Sequence, residues 1–108
     1  MKMTSYYEID LGLASTLAIP VPLNANYGSF QALSLGADPT TMSLAVRRSL
    51  GADPASAVEF GTPVAVDPST RAIVGPVDLR DTGHLFIRPA STQAGKRCRL
   101  VVLFTDRE

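Results

Sequence analysis

Three Asp-Pro dipeptides, Asp38-Pro39, Asp53-Pro54 and Asp67-Pro68, punctuate the middle of the chain at nearly even spacing. The first two close a repeated phrase, Leu-Gly-Ala-Asp-Pro, at 35–39 and again at 50–54. Gly and Asp ahead of Pro are turn chemistry: Gly tolerates backbone angles that other residues resist, Asp bonds the backbone beyond it, and Pro presets its own φ. Each interval between these turns has room for one strand. The rhythm therefore predicts a small all-β domain that doubles back on itself. Two copies of the phrase are too few for a stacked repeat, so it reads as a reused turn.

The segments between turns carry strand patterns. Residues 5–11 (SYYEIDL) form the opening strand, with Tyr6 and Tyr7 on opposite faces. Residues 16–23 (TLAIPVPL) alternate imperfectly, and Pro20 and Pro22 cannot donate to a ladder. That segment belongs at a sheet edge or crosses between sheets. Residues 24–28 read as a loop, and 29–35 (SFQALSL) as a half-buried strand with Phe30 out of phase with Gln31. In 41–49, Met42, Leu44 and Val46 share one face, with Ser43, Ala45 and Arg47 on the other. Its shortness and the Gly-Ala-Asp-Pro phrase on both sides favour a strand over a helix.

Residues 57–60 and 63–66 read as two short strands, or one strand bent at Gly61. Residues 67–70 fit a type I turn with Pro68 second. Segments 71–74 and 77–80 read as strands divided by Gly75-Pro76, and 81–83 as a turn. In 84–88, Leu85 and Ile87 face one way, with His84, Phe86 and Arg88 facing the other. After a polar loop at 89–96, residues 97–105 (RCRLVVLFT) form the strongest strand. Its centre is apolar on both faces, so each face is expected to be covered, by a second sheet or by another subunit. Lys96, Arg97 and Arg99 on one side and Asp106, Arg107 and Glu108 on the other act as gatekeepers.

About eight short strands without an amphipathic helix predict an antiparallel two-sheet β-sandwich or jelly roll, one domain over 1–108. A closed barrel is the second solution. At 108 residues the chain can bury a real core without staples. Ten basic residues balance ten acidic ones, which argues against nucleic acid and against a membrane surface as partners. Near-zero net charge gives little colloidal repulsion and suits an assembly better than a free monomer. Residues 11–23 do not read as a signal peptide: Glu8 and Asp10 precede them and prolines interrupt them. No apolar run reaches the roughly 18 residues of a membrane span.

No catalytic, cofactor-binding or metal-ligating set emerges. Cys98 is the one cysteine, which excludes an internal disulfide, and it reads as a buried small hydrophobe. His84 is the one histidine, and no Gly-x-Ser-x-Gly elbow supplies a nucleophile for it. Asp38, Asp53 and Asp67 match no calcium loop and have sufficient roles in their turns. Glu8 and Asp10 share one strand face, whereas a glycosidase pair flanks its substrate from separate elements. The basic clusters Arg47-Arg48 and Lys96-Arg97-x-Arg99 lack neighbouring aromatics for stacking on single-stranded nucleic acid. Aromatic residues make up only 6% of the chain, without Trp, so a sugar platform would have to use Tyr6, Tyr7 or Tyr27.

One pattern runs through 41–105. Ser43-Leu44-Ala45-Val46-Arg47-Arg48-Ser49-Leu50-Gly51-Ala52-Asp53, then Val58-Glu59-Phe60, later His84-Leu85-Phe86-Ile87-Arg88 and a closing hydrophobic strand at 99–104, resembles small β-sandwich virion proteins of tailed bacteriophages. The chain departs from them where an aromatic after the turn is not Trp. The resemblance implies a capsid decoration (cement) protein or another small virion component: a homo-oligomer without cofactor, contacting capsid protein and located in the virion after assembly in the host cytoplasm. The segment 16–23 and the apolar closing strand are its expected contact surfaces. A monomeric carbohydrate-type binding sandwich is the alternative, and an enzyme is not expected.

Overall fold

Alternating apolar segments become eight strands among the described residues: β1 Lys2–Asp10, β2 Leu17–Pro20, β3 Tyr27–Leu35, β4 Leu44–Ser49, β5 Val64–Val66, β6 Val74–Asp78, β7 His84–Pro89 and β8 Arg97–Thr105. The computed structural model describes residues 2–36 and 43–107, and the statements below concern those residues. The expected Asp38-Pro39 turn and the face assigned to Met42 lie outside the described residues.

The strands form two antiparallel four-stranded sheets, β1-β8-β3-β6 and β2-β7-β4-β5. Strand β1 pairs with β8, β2 with β7, β3 with β6 and β4 with β5, as if one long hairpin had been rolled across its own length. Further pairs, β3 with β8 and β4 with β7, close each sheet. That connectivity is a jelly roll. The expected sandwich of about eight strands is the observed architecture.

The core lies between the inner faces. Cys98, Leu100, Val102 and Phe104 alternate inward along β8 and are fully buried. Phe30 and Ala32 lie on the same side of β3, across from Val102 and Leu100. Opposite them the second sheet contributes Ile19, Leu44, Val46, Val66, Leu85 and Ile87. This period-two burial is the ordinary outcome for a strand with one face inward. Tyr7 packs against the core from β1, while Tyr6 faces out and is 65% exposed.

Three local expectations change. The strand expected at 57–60 shrinks to a single bridge, Arg48 to Val58. Asp53 instead caps a short 3-10 turn, Pro54–Ser56, its carboxylate accepting from the Ala55 N–H at 2.9 Å. The strands expected on either side of Gly75-Pro76 are one strand, β6, with a cis bond before Pro76. Pro76 is tolerated there because β6 is an edge and its register with β3 shifts at that point. The turn after Asp67 is one residue longer than a type I turn: the Arg71 N–H donates to the Asp67 carbonyl at 3.3 Å, with Arg71 at φ 59°. Phe86 faces away from Leu85 and Ile87, as its alternation predicts, and is buried on that outer face beside the depression that Ala14, Thr16, Pro54 and Ala57 help to line.

Candidate contact surface

Register builds the outer face of the first sheet row by row. Thr4, Leu103 and Ser29 stand abreast on β1, β8 and β3, and the next row is Tyr6, Val101 and Gln31. Glu8, Arg99 and Leu33 follow, then Asp10, Arg97 and Leu35. The closing strand thus places Val101 and Leu103 on the face turned away from the core, and both remain partly exposed. Tyr6 flanks them on one side and Ile73, 71% exposed, on the other. A shallow, mostly apolar depression of about 230 Å³ is lined by Val101, Leu103 and Ile73. Apolar β8 is therefore covered on one face by the second sheet and uncovered on the other.

Ion pairs rim one end of this patch. Glu8 Oε2 lies 3.6 Å from Arg97 and Oε1 lies 3.8 Å from Arg99. The basic cluster of β8 is therefore partly neutralised within its own sheet. The cluster Arg47-Arg48 is split by the pleat. Arg47 turns outward toward Glu59 at 3.8 Å, whereas Arg48 lies on the side of Leu85 with its guanidinium carbon 5.3 Å from the centre of the Phe60 ring. That cation–π contact escaped the sequence reading, because the loop 50–59 had to fold back before the two residues could meet.

The remaining candidates separate in space. Cys98 is buried in the core, and burial alone pushes its thiol up to about 11. His84 stacks on Phe86 on the outer face of the second sheet, ring centres 6.3 Å apart. Its Nδ1 is buried without a hydrogen-bond partner among the described residues. Asp67 is held by Ser69, whose hydroxyl and N–H both donate to it, and its pKa is lowered mainly by that hydroxyl. Among the described residues no three His, Cys, Asp or Glu side chains gather as a metal-binding group.

At least three larger depressions open among the described residues, one of them, of about 460 Å³, beside Ser49, Leu50, Gly51 and Val58. Another of about 700 Å³ opens between edge strands β5 and β6, where Arg48 and Phe60 meet Asp78 and Asp81. A third of about 420 Å³ has Phe86 beside Arg47, Arg88, Thr16 and Thr92 on the outer face of the second sheet.

The chain was compared with known proteins by family, sequence and fold. No family model, curated protein or solved structure matches it.

Proposed function

We propose that this chain is a non-enzymatic structural protein of a phage particle, a capsid decoration (cement) protein that works by self-association and by contact with capsid subunits. One observation carries the reading. The outer face of the first sheet is an apolar patch of Tyr6, Val101, Leu103 and Ile73 with the ion pairs of Glu8 at one end. An apolar centre with a polar rim is the anatomy of a protein contact. The jelly roll adds fold-level analogy, since viral capsid domains use it.

A second reading, a carbohydrate-type binding module, draws on the same analogy, because lectin domains also use jelly rolls. Tyr6 supplies one exposed ring on a flat face for it. Light scattering on the eluting protein and electron microscopy of particles mixed with it separate the two. A defined oligomer that adds density to the shell is expected. A monomer that leaves particles bare and binds a glycan array overturns the decoration reading.

A further inference from the structure

The jelly roll leaves four sheet edges, and three are blunted. Strand β2 has four residues and ends in Pro20. Strand β5 has three residues and follows Pro63. Strand β6 contains Pro76 at its register shift. Prolines and short strands are how sheets keep foreign strands away. Strand β1 has neither device: its nine residues pair with β8 without a shift and contain no proline. Its inward positions, Met3, Ser5, Tyr7 and Ile9, carry no charge that would repel a neighbour. Among the described residues no strand pairs with its other edge.

The sequence of β1 also complements itself. Two copies related by a two-fold axis normal to the sheet run antiparallel, with their outer faces on the same side. Full nine-residue overlap then places Tyr6 opposite Tyr6, and the charges fall in register. Lys2 of each copy meets Asp10 of the other, and Met3 meets Ile9, inward side to inward side. Opposite charges and apolar pairs directly across from each other stabilise a ladder. Met3 is 41% exposed in the single chain and gains an apolar neighbour.

We propose that β1 is the self-association edge: two copies pair β1 to β1 about an axis at Tyr6, giving one continuous eight-stranded sheet. This rests on the self-association in the reading above and names the strand that performs it. Pairing through β1 joins the two apolar outer faces side by side and leaves both open to a further partner.

Tyr6→Cys tests the register on the full chain, because the axis brings two copies of that exposed position within disulfide reach. Mild oxidation is expected to give a covalent dimer of twice the 11.5 kDa chain mass. Thr4→Cys, two residues off the axis, is expected to give none. Charge reversal is the second arm. Lys2→Glu or Asp10→Lys alone is expected to raise the dimer dissociation constant about tenfold, and the two together to recover most of it. Equal cross-linking from both cysteine variants, or an oligomer that ignores both arms, overturns β1 pairing while leaving self-association standing. A wild-type chain that stays monomeric at every concentration overturns both.

Discussion

Gly83 lies against the main-chain carbonyl of Leu50, with no room between them for a Cβ. Its N–H donates to the Ser49 carbonyl at 2.9 Å, and its own carbonyl accepts from the Val21 N–H at 2.9 Å. One glycine thereby joins the end of β4 to the chain leaving β2. The atom in the way is backbone, so it cannot swing aside as a side chain would.

Gly83→Ala is therefore expected to destabilise the fold by about 1–3 kcal/mol, the range for forcing extra volume into a packed site. Gly51→Ala is the control: nothing among the described residues lies within 4 Å of a Cβ there. It is expected to change stability by no more than about 0.5 kcal/mol. Urea midpoints of the two variants decide the matter, and equal midpoints would refute the close approach.

Inner and outer faces of the first sheet predict opposite sensitivities. Phe30 and Phe104 are fully buried, so replacing either by Ala is expected to cost about 3–5 kcal/mol. Ile73 lies on the outer side and is largely exposed. Ile73→Ala is expected to leave folding within about 0.5 kcal/mol of the parent while weakening any contact made by that face. Thermal melts read the first effect and particle binding the second.

Much of this architecture was legible in the sequence wherever a strand has one wet and one dry face. Leu44 and Val46 against Arg47 gave β4, and the prolines at 20 and 22 gave an edge. The run 97–105 gave β8 with its bounds, because apolar residues end where charges begin. Legibility failed where tertiary contacts decide. Val58 reads as strand, yet Asp53 and Pro54 start a 3-10 turn that leaves it a single bridge to Arg48. Pro76 reads as a break, yet an edge strand with a shifted register accommodates it. The alternation set Phe86 on the face opposite buried Leu85 and Ile87 but did not show that neighbouring segments bury it there. The outer patch was half legible: the apolar centre of β8 showed in the sequence on both of its faces, and register alone brought Tyr6 beside Val101.

Cys98 tests the core chemically. Burial disfavours the thiolate, the only form that reacts readily, and holds the thiol near 11 instead of its ordinary 9.0. The folded protein is expected to resist iodoacetamide at pH 8 and to react fully once urea unfolds it. A raised folded pKa means that the unfolded chain ionises first. Stability is therefore expected to fall as pH rises from 9 toward 11. Rapid labelling under native conditions, read by intact mass, would contradict the burial of β8.

Asp78 and Arg80 give the acid-side counterpart. The Arg80 guanidinium donates to both carboxylate oxygens of Asp78, through Nε at 3.0 and 3.1 Å and through Nη2 at 2.6 Å. The Arg80 N–H adds a bond at 2.9 Å. These contacts, the guanidinium first, hold the Asp78 pKa at about 2 instead of 3.8. A depressed carboxyl pKa contributes stability above its unfolded value and loses it as pH falls through the folded one. The contribution is therefore expected to be present at pH 4 and above and to disappear between about 3.8 and 2. Both groups are exposed, so salt is expected to weaken it. In Arg80→Ala the Asp78 carboxyl, followed by carbon NMR, is expected to titrate nearer 3.8. Titration unchanged by that substitution would show that the paired geometry at the end of β6 does not persist in solution.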